Sequence, residues 1–170
     1  AVFNNDSVTV TDETTLSSTL TNKDWKIAVV SNDLVGRSYL SGSSTAPLGP
    51  TLVLENNATI THNTDKPSNF YVGKYTTFTV KGEGTIKALP KADSDTFVLD
   101  LESSTAVVNI DDNVTFDGGS GSKTNNCIFM QLGTVNIYNG RFITGLDVNG
   151  KANACVLVDA TSDGHAYLNI

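Results

Sequence analysis

The chain has 170 residues, of which 39% are apolar, and it carries a formal charge of −7. This length suits one domain with a continuous core. The only guanidinium groups belong to Arg37 and Arg141, so the sequence lacks the basic stripe that binds a nucleic-acid backbone. A run of about 18 apolar residues, which a membrane-spanning helix needs, is also missing. We therefore expect neither nucleic acid nor membrane insertion.

The first part of the chain, residues 1–31, is predicted to form a strand and a short helix. Residues 8–10 have the composition of a strand. The segment Thr-Asp-Glu-Thr-Thr-Leu-Ser-Ser-Thr-Leu at 11–20 indicates a helix, because Thr11 or Asp12 can cap its start. Leu16 and Leu20 then share one of its faces.

A repeat of about 30 residues organises the chain from Phe70 onward. Three kinds of short strand recur in it, and each strand of the third kind is bounded by Gly, Asn or Asp. The first kind lies at residues 96–100, 127–131 and 155–159, with offsets of 31 and then 28 residues. The second kind lies at 77–80, 107–110, 134–137 and 167–170. The third kind lies at 84–86, 114–116 and 141–143.

Three short strands per repeat, with no room for a crossover helix, are what one coil of a parallel solenoid requires. We therefore predict an all-β fold, a right-handed parallel β-helix, in a single domain of residues 1–170. Residues 32–170 form the coils, and the helix within 1–31 caps the open end, where core and strand edges are otherwise exposed. The alternative is a surface helix without that role. Because 167–170 matches 134–137, the repeat predicts a further turn and strand, and we expect the polypeptide to continue beyond residue 170. The alternative is that another chain covers this edge.

The order of strand, Thr-Asp-Glu-x-Thr-Leu-x-x-x-Leu helix, strand and coils of the form Val-x-Ile-x-x-Gly-x-Phe resembles the pectate-lyase-like β-helix superfamily. Within it, the sequence is most similar to the β-helical modules of phage fibres and spikes and of bacterial surface proteins. These motifs are architectural, so the resemblance implies a fold and leaves the activity open.

Enzymes of this superfamily cleave polysaccharides, and the resemblance directs attention to acidic clusters beside a basic residue. Asp111, Asp112 and Asp117 with Arg141 form one candidate cluster, although each Asp also stands where a turn favours it. The hydrolase set is incomplete, because Gly164-His165-Ala166 lacks the second glycine of its Gly-His-Gly element and no Arg-x-Lys occurs. We therefore assign no catalytic residue.

A polar track is predicted from the alignment of the first kind of strand. Asp100, Gln131 and Asp159 align at the ends of successive apolar strands. Such a ladder could hydrogen-bond sugar hydroxyls along one face, and these three residues are the candidate glycan-binding site. The alternative is that a turn begins at each position.

Cys127 and Cys155, the only cysteines, align in neighbouring coils, where backbones lie about 4.8 Å apart. In-register parallel strands rarely give the torsion of a disulfide, so we predict stacked buried thiols.

Five other polar residues carry no assigned function. His62 and His165 lie in different coils without partners at zinc-ligand spacing, and no metal site is predicted. Asn5, Asn57 and Asn113 begin glycosylation sequons, which are expected by chance in a chain rich in Asn and Thr.

The favoured function is a non-catalytic structural or binding module of a phage virion surface protein, such as a head fibre, tail spike or capsid decoration. The expected partners are other virion proteins, copies of the chain itself in a trimer, and host surface glycans, and no cofactor is expected. The location is then the virion surface or the cell exterior. Two alternatives remain, a polysaccharide lyase or glycoside hydrolase of the same fold and a bacterial cell-surface adhesin.

Overall fold

The computed structural model describes residues 2–4, 7–10, 38–62, 68–160 and 164–170. They form a right-handed parallel β-solenoid of about four turns, with about 29 residues in each turn. The predicted fold class is therefore confirmed. The helix predicted at 11–20 lies outside the described residues.

Twelve strands make up the described part of the chain. They are β1 (Val2–Asn4), β2 (Ser7–Val10), β3 (Ser38–Leu40), β4 (Thr51–His62), β5 (Ser68–Val72), β6 (Thr76–Ala88), β7 (Asp95–Ile110), β8 (Asn113–Asp117), β9 (Thr124–Ile137), β10 (Arg141–Ile143), β11 (Val156–Val158) and β12 (Ala166–Asn169).

Each turn presents three faces, and every pairing between these strands is parallel. The first face comprises β3, β5, the first halves of β7 and β9, and β11. The second comprises β1, the first halves of β4 and β6, the second halves of β7 and β9, and β12. The third comprises β2, the second halves of β4 and β6, β8 and β10. Strands that the repeat predicts as short and separate are thus joined into longer strands, which bend from one face to the next.

Stacked apolar side chains fill the interior, because alternate residues of each strand point inward and the parallel register places like residues above one another. On the third face Ile60, Ile86, Phe116 and Phe142 are in register. The rings of Phe116 and Phe142 are stacked, with centroids 5.3 Å apart. The first three of these side chains are fully buried.

Part of the predicted alignment is displaced by two residues. Leu99 pairs with Ile128, which places Val98 and not Thr96 beside Cys127. A shift of two residues leaves every side chain on the same face of a strand, so the apolar pattern alone could not detect it. The offset of 28 residues between Cys127 and Cys155 is confirmed by the pairing of Val156 with Ile128.

An asparagine ladder runs along the outside of the second face. Asn136 donates from its Nδ2 to Oδ1 of Asn109 at 2.8 Å, and Asn169 donates in the same way to Asn136 at 2.7 Å. The three residues are in register in successive coils. Side-chain amides thereby link coils in addition to the backbone hydrogen bonds.

Candidate functional site

A polar groove crosses four coils along the third face, near the corner with the second face. We call it the axial groove. It has a volume of about 320 Å³. Its lining consists of Asn57, Glu83, Gly84, Thr85, Asn113, Thr115, Asn139, Gly140 and Arg141.

A four-residue pattern builds this groove. The sequences Asn-Ala-Thr-Ile, Glu-Gly-Thr-Ile, Asn-Val-Thr-Phe and Asn-Gly-Arg-Phe begin at residues 57, 83, 113 and 139. In each, the fourth residue points into the core, so the first and third point outward. The register sets Thr59, Thr85, Thr115 and Arg141 side by side. The groove therefore has two polar columns, one from each outward position.

The corners beside the groove share one backbone feature. Each contains a residue with positive φ, namely Asn57 at 59°, Gly82 at 99°, Asp112 at 58° and Gly140 at 136°. Asn, Asp and Gly are the residues that tolerate this conformation best. At one corner the Asp112 carboxylate accepts a hydrogen bond from the Gly82 amide at 3.0 Å. Each of the four corners thus contains a residue with positive φ, although its position relative to the four-residue pattern differs from coil to coil.

The size and polarity of the groove suit a small polar ligand. Four coils spaced about 4.8 Å apart give a length of roughly 14 Å. Asn113, Asn139 and Arg141 are exposed, and Thr85 and Thr115 are half-buried. Of the described side chains in the lining, Glu83 and Arg141 are charged. Amides and hydroxyls at this spacing can exchange hydrogen bonds with a chain of hydroxyl groups.

The acidic cluster predicted around Arg141 is divided among separate contacts. Asp111 accepts a hydrogen bond from the Asp112 amide, and Asp112 holds Gly82. Asp117 forms a salt bridge with Lys87 at 3.4 Å. Arg141 lies in register with Thr115 and lines the axial groove. The three aspartates thus serve turns and coil contacts, which was the alternative interpretation.

The predicted polar track is not brought together as a single ladder. Asp100 pairs in register with Phe129 and is only 2% exposed. Gln131 lies at a register shift, where β9 has one residue more than β7. The Asp159 amide donates to the Met130 carbonyl, which places Asp159 near Gln131. Asp100 is therefore too buried to belong to a surface track. Glycan binding at Gln131 and Asp159 stays a prediction.

The two cysteines stack as predicted, and both are thiols. Cys155 is only partly buried, so the prediction of buried thiols holds for Cys127 alone. Cys127 is fully buried, and its Sγ lies 3.1 Å from the carbonyl oxygen of Phe116 and 3.0 Å from that of Ile143, which share its one S–H donor. Burial, followed by the neighbouring Cys155, raises the pKa of the Cys127 thiol from an ordinary 9.0 to about 12. Cys127 is thus a packing residue that stays protonated in the folded protein.

The raised pKa of Cys127 should make the free energy of unfolding depend on pH in the alkaline range. The unfolded thiol ionises near pH 9.0 and the folded one near pH 12, so the unfolded state binds fewer protons between these values. The free energy of unfolding should then fall as pH rises through this window, by up to about 1.4 kcal/mol per pH unit from this group. Urea unfolding at several pH values would measure it, with Cys127→Ala as the control that lacks this part of the slope. Identical slopes in the two proteins would contradict the assignment.

The part of the chain that the structure describes contains no cluster of side chains suited to binding a metal ion. Among those residues, no group of three His, Cys, Asp or Glu side chains is placed to hold a metal ion. His165 is exposed, with its ring 6.0 Å from that of Tyr167, and only the backbone pairing of His62 with Ala88 is described. Within the same residues, no helix is long and apolar enough to cross a bilayer.

The fold and the groove define a class of protein, a right-handed parallel β-solenoid with a polar groove along its axis. Comparison with protein-family models, with curated proteins and with solved structures found no match to this chain.

Proposed function

We propose that the chain is a non-catalytic module of a phage virion surface protein and that it binds a host surface glycan in the axial groove. The observation that carries the proposal is the polar groove itself, which continues across four coils. The phage origin comes from the resemblance of the repeat to fibre and spike modules. Packing of copies into a trimer, as in such modules, would cover coil faces.

The spacing of the groove favours a glycan over an extended peptide. Polar side chains recur once per coil, about every 4.8 Å, which is close to the length of one pyranose unit. Side chains on one face of an extended peptide recur about every 6.7 Å, so a peptide would soon lose register with the coils. A sugar chain lying along the axis keeps each ring opposite one coil.

A non-catalytic role agrees with the charges in the groove. Hydrolysis of a glycosidic bond ordinarily uses two carboxyl groups that flank it, one as acid and one as base or nucleophile. Among the side chains that the structure describes, Glu83 is the one carboxylate in the lining, and its neighbours in the next coil are Asn113 and Thr115. This composition supports hydrogen bonding to hydroxyls without bond cleavage.

The test is glycan binding by a variant that empties the centre of the groove. We expect the double variant Asn113→Ala and Thr115→Ala to lose about tenfold or more in affinity for a surface polysaccharide, because each lost hydrogen bond costs about 1 kcal/mol. Titration calorimetry against a panel of bacterial surface polysaccharides would measure it. The exposed Asn149→Ala, in the loop after β10, is the matched control.

Two results would count against the proposal. If no polysaccharide binds, or if binding survives in the double variant, the groove is not a glycan site. If the polysaccharide is shortened during incubation, as measured by its size distribution, the module is an enzyme and the lyase or hydrolase alternative replaces it.

A further inference from the structure

We infer that the axial groove selects an oligosaccharide in which one sugar carries a carboxylate, held by Arg141, while the sugars across the neighbouring coils are neutral. This inference rests on the proposed function and adds the ligand's charge and its direction in the groove. It depends on the placement of two side chains, Arg141 and Glu83.

Arg141 presents a guanidinium group at one end of the groove. It is exposed, opens β10 and lies in register with Thr115. Its other neighbours in the lining, Asn113 and Asn139, are neutral amides. A guanidinium among amides and hydroxyls can bind a carboxylate through two parallel hydrogen bonds.

Two acidic residues in the coil before that of Arg141 have other contacts. Asp117 pairs with Lys87, and Asp112 accepts the Gly82 amide. Within the described part of the chain, Lys87 with Asp117 is the ion pair that the structure shows. The Arg141 guanidinium therefore keeps its donors for a ligand.

Glu83 sets the direction of the ligand. It lies in register with Asn113, and Asn113 belongs to the coil before that of Arg141. Glu83 is thus two coils from Arg141, or roughly 10 Å along the axis. A second carboxylate on the ligand at that distance would meet a like charge and be disfavoured. Hydroxyl groups there can instead donate to the Glu83 carboxylate.

The net charge of the whole chain also favours a ligand with a single carboxylate. A net charge of −7 repels a glycan with a carboxylate on every sugar. A single acidic sugar at Arg141 meets the local cation without this repeated repulsion. The expected ligand is therefore a mixed glycan and not a polyuronate.

The experiment compares three probes by titration calorimetry. They are an oligosaccharide with one uronic acid among neutral sugars, the same oligosaccharide after chemical reduction of its carboxyl group, and a polyuronate of equal length. We expect the first to bind about 10- to 100-fold more tightly than the second, because a charge-assisted hydrogen bond is lost on reduction. The polyuronate should bind more weakly than the first probe.

Variants assign the effect to the two residues. Arg141→Gln should bind the acidic and the reduced oligosaccharide equally, whereas Lys123→Gln, an exposed cation outside the groove, should keep the discrimination. Glu83→Gln should strengthen binding of the polyuronate.

The outcomes separate this inference from the proposed function. Equal binding of the acidic and reduced probes by the unaltered protein, with loss of both in the Asn113 and Thr115 double variant, would overturn the inference and retain glycan binding. Discrimination that persists in Arg141→Gln would also overturn it. Binding of none of the three probes, together with none from the polysaccharide panel, would overturn both.

Discussion

Replacing Phe116 by alanine is expected to lower the free energy of unfolding by about 3 to 5 kcal/mol. The ring is fully buried, stacks on Phe142 with centroids 5.3 Å apart, and follows Ile86 in the interior column of the third face. Its removal leaves a cavity between two coils that the rigid backbone ladder cannot close. Because a domain is stable by only about 5 to 15 kcal/mol, this loss is large.

Urea unfolding followed by circular dichroism measures the effect. The matched control is Tyr138→Ala, since this aromatic residue is 69% exposed and its loss should change stability by about 0.5 kcal/mol or less. A change below 1 kcal/mol for Phe116→Ala, or an equal change in the two variants, would show that the column does not stabilise the solenoid.

Gly82→Ala is expected to have a comparable effect through the backbone. Gly82 has a φ of 99° at the corner beside the axial groove. A Cβ at this position would overlap the carbonyl oxygen of Leu54, which belongs to the preceding coil. The unfavourable φ costs about 1 to 3 kcal/mol, and relief of the overlap requires a backbone shift of similar cost. We expect a loss of about 2 to 6 kcal/mol in the free energy of unfolding.

Gly121→Ala separates the two causes. Gly121 also has a positive φ, 88°, but a Cβ there would have no atom within 4 Å. This variant should show the cost of φ alone, about 1 to 3 kcal/mol. If Gly82→Ala costs no more than Gly121→Ala in thermal or urea unfolding, the close approach of neighbouring coils at that corner is not tight.

The repeat made most of the fold predictable from sequence. Isoleucine, valine and phenylalanine recur at positions such as Ile86 and Phe116, and this apolar period specifies which face of a strand is buried. It does not specify register to within two residues. The placement of Thr96 beside Cys127 was wrong for that reason, and the extra residue Gln131 at the bend gave no sign in the apolar pattern.

The groove was harder to predict because its residues have ordinary local explanations. Asn57 and Asn113 match glycosylation sequons, and Glu83 directly follows a glycine. The available signal was the fourfold recurrence of a polar residue two positions before Thr or Arg. Recognising it as a surface required the register of the third face, which no single strand contains. Asp100 illustrates the converse, since a polar residue in an apolar strand was expected at the surface and is buried.

The asparagine ladder bears on how the molecule responds to mechanical load. All the coil-to-coil bonds, including those of Asn109, Asn136 and Asn169, lie along the solenoid axis. Tension along this axis would load the bonds of one coil together, whereas tension on a terminal strand would open them one after another. We therefore expect a stack of such coils to resist stretching along its axis and to unravel by peeling from an end.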